Sequence, residues 1–180
     1  MNRLLFVVLM VSPQFMMAQK KLEFVNEKID FSITSSLFTI NGIYVFANNT
    51  ENIIRQTILF QFSNKIDSLK VKRVYNLTYN ENLNYQNVLN GIAFKMIVLS
   101  MDTVNINISY HQKTNKENIY ILESTQTWGK PLQKAVYSLS VDNSVTIDSF
   151  SLKPDTLINN IYYWTKTEFY PNENFKVWIK

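Results

Sequence analysis

The sequence contains no cysteine, so it can form no disulfide and offers neither a thiol nucleophile nor a thiolate ligand for a metal. A secreted eukaryotic domain of this size would often carry disulfides, so the absence favours a bacterial protein. A lipid anchor attached to a cysteine after an export signal is also excluded. We therefore expect a chain with no disulfide and no lipid anchor.

Histidine and glycine are almost as scarce, with one histidine and three glycines in 180 residues. The single histidine, His111, lies on the polar side of a predicted strand, where we expect a surface position. The sequence has no Gly-x-Ser-x-Gly elbow and no glycine-rich phosphate loop. One histidine without cysteine also leaves zinc or copper with carboxylates alone. We predict no metal site and no cofactor.

Acidic residues are present, but they are not clustered. Asp142, Asp148 and Asp155 do not form the Asp-rich loop that calcium requires. Glu123 and Glu168 each stand beside apolar or aromatic residues, but nothing in the sequence joins them as the carboxylate pair of a glycosidase. We predict no catalytic residue and a protein that is not an enzyme. A carboxylate-dependent hydrolase is the enzymatic alternative.

Positive charge is spread along the chain, which has a formal net charge of +4. The densest basic group, Lys70, Lys72 and Arg73, alternates with valines and is typical of a solvated strand face. Nucleic-acid binding needs a larger basic patch. We therefore predict no nucleic-acid partner.

The N-terminal segment Met1–Ala18 has the three regions of an export signal in order. Arg3 supplies a positive charge, Leu4–Val11 is an apolar run, and Ala18 is a small residue before Gln19. The apolar run is too short to span a bilayer, which needs roughly 20 residues, and no later segment is apolar enough to span as a helix. We predict a signal peptide over residues 1–18 and a destination in the periplasm, on the outer surface or outside the cell. The alternative is the buried first strand of a cytosolic protein.

Aromatic residues and two-residue alternation are what the sequence has in abundance, including ten tyrosines and twelve phenylalanines. Apolar residues alternate with polar ones over 104–111, which is typical of a half-buried strand. Residues 79–90 form the longest polar stretch and are predicted to be a loop. These patterns predict one all-β domain over residues 19–180, an antiparallel immunoglobulin-like β-sandwich of about ten strands. The other predicted strands lie at about 22–34, 38–47, 54–62, 69–79, 92–99, 118–123, 135–141, 145–152, 158–167 and 175–179.

Three aromatic residues are the candidates for ligand binding. Within Tyr162, Tyr163 and Trp164, neighbouring side chains point to opposite faces of a strand, so either Tyr163 or its two neighbours face outward. Trp178 shares its face with two lysines and is expected to be partly exposed. Exposed rings can stack on sugars or enter a partner's pocket. We predict Tyr162, Trp164 and Trp178 as weak ligand-binding candidates; the alternative is that a second sheet or a loop covers them.

The segment Glu123–Gln133 carries the chain between two predicted strands. Gly129 can adopt backbone angles that other residues resist, and Pro131 withholds an N–H from any ladder. We interpret Trp128, Gly129 and Pro131 as a structural corner in which the Trp128 ring closes one end of the sandwich. The alternative is a ligand-binding loop.

The runs "YILESTQTWGKPLQKAVYSLSV" and "IYYWTKTEFYPNENFKVWI" resemble a family of secreted bacterial β-sandwich domains with a Thr-x-x-Trp-x-x-Pro-Leu pattern. The resemblance implies the same fold and no known activity. The residues that carry it are Tyr120, Thr125, Trp128, Pro131, Leu132, Ala135, Tyr137, Trp164, Phe169, Pro171 and Asn174.

Together these observations favour an exported, non-enzymatic module that works by binding or assembly in the bacterial envelope, with an envelope protein or a glycan as its partner. One alternative is a small-ligand or glycan-binding module that uses exposed tyrosine and tryptophan rings. Another is an outer-membrane β-barrel, because alternation and aromatic residues also suit that architecture.

Overall fold

The structure is a computed structural model that describes residues 22–64 and 68–180, so the predicted export signal over residues 1–18 lies outside the described residues. The described chain forms mainly β-strands, and Glu123–Trp128 form a 3₁₀ helix. Within these residues no helix has the length and apolar character needed to cross a membrane. The strands are β1 (Glu23–Ile33), β2 (Leu37–Ala47), β3 (Ile54–Gln61), β4 (Leu69–Asn76), β5 (Glu81–Asn82), β6 (Tyr85–Val88), β7 (Gly91–Val98), β8 (Thr103–Lys113), β9 (Glu117–Tyr120), β10 (Leu132–Val141), β11 (Ile147–Phe150), β12 (Thr156–Ile158), β13 (Ile161–Phe169) and β14 (Phe175–Ile179).

The described strands form three sheets. An eight-stranded sheet has the order β12-β13-β10-β1-β2-β8-β4-β5, and two three-stranded sheets have the orders β11-β14-β9 and β3-β7-β6. The all-β prediction is confirmed. The prediction that all strands pair antiparallel is wrong at β1 and β10, which are parallel neighbours. Strands β2 to β9 lie between them in the chain, which leaves ample length for the crossover that parallel pairing requires. This topology does not confirm an immunoglobulin-like sandwich.

The hydrophobic core lies between the eight-stranded sheet and the two smaller ones. Alternation along β1 turns Ile29, Phe31 and Ile33 to the buried face. The ring of Phe31 stacks on that of Phe175 in β14, with centroids 4.6 Å apart. Phe94 of β7 belongs to the same buried cluster. All three sheets therefore contribute to one core.

A buried asparagine joins the eight-stranded sheet to the β3-β7-β6 sheet. The Asn48 side-chain amide donates hydrogen bonds to the carbonyls of Asn52 at 2.7 Å, Leu99 at 2.8 Å and Val98 at 3.2 Å. Its side-chain oxygen accepts the backbone N–H of Thr50 at 3.0 Å. Because these partners come from the β2–β3 loop and the end of β7, Asn48 holds the smaller sheet over the larger one.

Two predicted segments differ from the observed ones. The strand predicted at 158–167 is a hairpin, in which β12 and β13 meet at Asn159 and Asn160. Both residues have positive φ, 50° and 62°, which two-residue hairpin turns of type I′ require. The predicted loop at 79–90 contains β5 and β6, which pair with β4 and β7 at sheet edges where polar side chains face solvent.

Candidate functional site

A pocket of about 490 Å³ opens between the eight-stranded sheet and the β3-β7-β6 sheet, next to the 3₁₀ helix. We call it the inter-sheet pocket. Buried Glu27 and Tyr44, from β1 and β2, and Tyr120, from β9, line its floor. The exposed residues Leu59 and Thr127 mark its mouth. The pocket therefore leads from solvent to a buried carboxyl group.

The inward position of Glu27 follows from a local irregularity in β1. A register shift between Phe24 and Asn26 opposite β2 allows both Phe24 and Glu27 to face the interior. From Glu27 onward the alternation continues through Ile29 and Phe31. The acid therefore occupies a position at which the strand pattern calls for an apolar residue.

Three tyrosines surround the Glu27 carboxyl group, and we call the four residues the Glu27 cluster. The hydroxyl group of Tyr137, on the parallel strand β10, donates a hydrogen bond to the carboxylate. The hydroxyl group of Tyr120, from β9, lies close enough to the same carboxyl group to oppose the rise of its pKa. Tyr44, directly opposite Glu27 on β2, is hydrogen-bonded to the Tyr120 hydroxyl at 3.0 Å. Strands from two sheets thus converge on one acid.

Burial sets the protonation of the Glu27 cluster. Desolvation raises the pKa of Glu27 from its ordinary value of 4.5 to about 7, although the hydroxyl groups of Tyr137 and Tyr120 oppose the rise. Burial also raises the pKa values of Tyr44, Tyr120 and Tyr137 well above 10, so these hydroxyl groups keep their protons. Near neutral pH, Glu27 is consequently the group in the cluster that gains or loses a proton.

Four aromatic rings, here the aromatic wall, line the pocket above the Glu27 cluster: Phe24, Phe46, Phe60 and Trp128. The Trp128 ring centroid lies 5.8 Å from that of Phe24 and 5.3 Å from that of Phe46. Phe60 packs edge-on against Tyr44 at 5.1 Å. The wall therefore continues to the tyrosines of the cluster.

Gly42 provides the space that the Tyr44 ring occupies. A β-carbon at Gly42 would overlap the ring and hydroxyl of Tyr44. Gly42→Ala should therefore displace Tyr44, break its hydrogen bond to Tyr120 and lower the free energy of unfolding by about 1–3 kcal/mol in urea titrations. Tyr44→Phe, which deletes the hydroxyl without crowding the ring, should cost about 1 kcal/mol. An unchanged urea midpoint for Gly42→Ala would contradict this packing.

This arrangement can bind a ligand through a single ionisable group. Glu27 is the one carboxyl among the described pocket-lining residues, so they supply no second acid for carboxylate-pair hydrolysis. In the described part of the chain, no group of three or more His, Cys, Asp or Glu side chains could hold a metal ion. The pocket offers one carboxyl acceptor, tyrosine hydroxyls and aromatic surface.

The aromatic candidates predicted from sequence lie away from this pocket. Of the two orientations that alternation left open for Trp164, the structure has the inward one: its ring is fully buried, because Phe150 and Phe175 cover it, with centroids 5.5 and 5.1 Å away. Its indole N–H donates to the Leu152 carbonyl at 2.8 Å. Tyr162 is half-buried on the same side and contacts Phe150 at 4.9 Å. These contacts leave Trp164 no surface for a ligand.

Trp178 is the third aromatic candidate, and it lies on a different sheet from the other two. It is half-buried on β14, and the ammonium group of Lys176 lies 5.8 Å from its ring centroid. The structure therefore does not bring Trp178 together with Tyr162 and Trp164, and the binding roles of Trp178 and Tyr162 stay predictions.

The predicted corner is a 3₁₀ helix that ends in a left-handed glycine. Gly129 has φ of 73°, and its N–H donates to the Gln126 carbonyl at 3.0 Å. Pro131 is exposed just before β10. Trp128 packs on the core and also lines the pocket, so the two alternatives for this segment are not exclusive.

The two glutamates considered for catalysis are held separately. Glu123 accepts a hydrogen bond from the Asn174 amide at 2.5 Å, and the Asn174 oxygen accepts the Glu123 backbone N–H at 3.2 Å. Glu168 is exposed and has a positive φ of 47°. No hydrogen bond among the described residues joins them.

His111 is half-buried, and burial together with Lys72 and Lys70 lowers its pKa.

Sequence reasoning missed Glu27, although its signal was present. Glu27 is in phase with Ile29, Phe31 and Ile33, so the alternation of β1 places a carboxyl on the apolar face. A buried acid is uncommon and needs hydrogen-bond partners, which makes such a residue a candidate for function. Its tyrosine partners come from distant parts of the chain, and no local pattern indicates them.

Comparison with known proteins finds similarity in structure. No protein-family model and no curated protein matches the chain. A Legionella pneumophila protein provisionally named a nutrient binding protein aligns over 88% of this chain and 66% of its own, with a TM-score of 0.66 and 12% identity. An M1 zinc metallopeptidase of Deinococcus radiodurans aligns over 89% of this chain and 42% of its own, with a TM-score of 0.53 and 8% identity. For yeast LTA4 hydrolase the shares are 88% and 28%, with a TM-score of 0.52 and 12% identity.

At these identities the likeness concerns the fold alone. The chain spans less than two thirds of the length of each of these three proteins, and less than half of the two hydrolytic enzymes. The same fold occurs in proteins with different names and roles, so it does not assign an activity to this chain.

Proposed function

We propose that this protein is a non-enzymatic binding module that takes a small molecule into the inter-sheet pocket. The observation that carries the proposal is the joining of the Glu27 cluster and the aromatic wall in one cavity of about 490 Å³. Small-molecule sites are typically apolar clefts of roughly 300–1,000 Å³ with a few placed polar groups. The inter-sheet pocket has a volume in that range and combines aromatic rings with a placed carboxyl group.

Two further observations support the proposal. Keeping Glu27 buried costs free energy, since its pKa is raised by desolvation, and such costly groups concentrate at functional sites. The Legionella pneumophila protein of similar fold is itself provisionally named for nutrient binding. The export signal predicted over residues 1–18 would place the binding outside the cytoplasm, and it stays a prediction.

Blocking the pocket should abolish ligand binding. In a thermal-shift screen of diverse small molecules, at least one compound should raise the Tm of the wild type, because a ligand that binds the folded state stabilises it. Gln56→Trp, on the pocket-lining side of β3, should remove that shift. Arg55→Trp is the matched control, since its exposed side chain is not among those that line the pocket.

The comparison of these two variants decides the proposal. A shift that survives Gln56→Trp would place the ligand elsewhere on the protein. The absence of any stabilising compound across a chemically broad panel would also overturn the proposal. Circular dichroism of both variants would verify that each is folded before the shifts are compared.

A further inference from the structure

The charge of the inter-sheet pocket is one-sided. Among the described residues that line it, Glu27 carries the one side chain that can ionise near neutral pH. No lysine or arginine is among them. Lys130, which follows the 3₁₀ helix, is paired with Glu23 at 2.6 Å instead. The pocket therefore has a carboxyl group and no basic group to balance it.

The aromatic wall reinforces that negative character. The face of an aromatic ring carries negative charge density, so it attracts a cation placed within about 6 Å of its centre. Phe24, Phe46 and Trp128 contact one another, and Phe60 extends the wall towards Tyr44. Tryptophan provides the strongest attraction of this kind. The rings and the carboxyl group favour the same sign of ligand charge.

We propose that the inter-sheet pocket binds an organic cation, with its ammonium group at Glu27 and its apolar part against the aromatic wall. This inference rests on the proposed function and adds the chemical class of the ligand. The hydrogen bond from Tyr137 orients the carboxylate, and the cation supplies the opposite charge that a buried carboxylate lacks. An anion would meet the carboxylate with no basic group beside it.

Binding of a cation should be coupled to ionisation of Glu27. The groups that face Glu27 are Tyr44 on β2, Tyr120 on β9 and Tyr137 on β10, with Tyr110 of β8 behind Tyr44. Burial raises the pKa of each tyrosine, so all four stay neutral through the relevant range. With the pKa of Glu27 at about 7, only about 1% of the carboxyl is ionised at pH 5. The affinity for a cation should fall in proportion.

Three six-carbon probes of equal length separate the ligand classes: hexylamine, 1-hexanol and hexanoate. Isothermal titration at pH 8 should show hexylamine binding at least ~10-fold more tightly than either of the others. Lowering the pH to 5 should weaken hexylamine binding about 100-fold while leaving 1-hexanol nearly unchanged, because hexylamine remains charged throughout.

Glu27→Gln tests the carboxyl directly. The variant should lose both the preference for hexylamine over 1-hexanol and the pH dependence of hexylamine binding. Circular dichroism would establish that the variant is folded. If it does not fold, the pH profile of the wild type decides by itself, because it requires no substitution.

The outcomes distinguish the inference from the proposed function. Equal or tighter binding of 1-hexanol or hexanoate would overturn the cation inference and leave a small-molecule pocket in place. A hexylamine affinity that does not change between pH 5 and 8 would overturn it as well. Failure of hexylamine to bind at up to ~10 mM would also overturn it. The proposed function is then judged separately by the screen and the Gln56→Trp variant.

Discussion

Replacing Trp164 with alanine is expected to lower the free energy of unfolding by about 4 kcal/mol, since truncating a fully buried tryptophan typically costs about 3–5 kcal/mol. One part of this loss is the favourable free energy of burying the ring, which the variant no longer gains. The other part is the cavity left between Phe150 and Phe175. The substitution also leaves the Leu152 carbonyl without its indole donor. Urea titration followed by circular dichroism would measure the change.

Trp178→Ala provides the matched control for that substitution. Trp178 is half-buried at a sheet surface, so its truncation should cost about 1 kcal/mol, near the centre of the distribution for point substitutions. Equal losses for the two variants would mean that Trp164 is not the core residue that the structure shows. A loss below 1 kcal/mol for Trp164→Ala would contradict its burial outright.

Glu27 should make the stability of the protein depend on pH. The folded-state pKa is raised to about 7 from an ordinary 4.5, so the folded state binds the Glu27 proton more tightly than the unfolded state. The stabilising contribution is therefore complete below about pH 4.5 and is lost as the pH rises through about 7. The total change is about 3 kcal/mol, since one pKa unit corresponds to about 1.4 kcal/mol.

Glu27→Gln should remove this dependence, because an amide keeps the shape of the protonated carboxyl and does not titrate. We expect the variant to resemble the wild type near pH 4.5 and to exceed its stability at pH 8. Urea titrations of both proteins across that range would measure the difference. Asp102, Asp142 and Asp155 do not affect the difference: hydrogen bonds lower their pKa values, but they titrate in both proteins.

Glu51→Gln is the control for that experiment, because it removes an exposed carboxyl instead of a buried one. Its stability should follow that of the wild type across the whole pH range. Parallel curves for Glu27→Gln and the wild type would contradict a raised pKa at Glu27, whatever the variant's absolute stability.

Much of the secondary structure could be read from local pattern. The alternation over 104–111 lies within β8, and the strand predicted at 175–179 is β14. The hairpin between β12 and β13 was missed, although Asn159 and Asn160 are residues that tolerate positive φ at low cost. That error was one of interpretation, because the signal was in the sequence.

Local pattern could not decide which face of the aromatic strand β13 is buried. The triplet Tyr162, Tyr163 and Trp164 presents rings on both sides, so alternation leaves two solutions of equal quality. Coverage by Phe150 and Phe175 selects the one in which Trp164 is buried. Those residues belong to another sheet, and no local rule places that sheet over this strand.

The sequence by itself determined the β-strand character of the chain, most strand positions and the scarcity of catalytic residue types, because alternation, turn chemistry and composition are local properties. Only the tertiary structure decided the parallel pairing of β1 with β10 and the meeting of Glu27 with its tyrosines. Glu27 and Tyr137 are 110 residues apart in the chain. Contacts between residues so far apart in the chain depend on how whole sheets pack. That packing places Glu27, which lies on the apolar face of its strand, at the floor of the inter-sheet pocket.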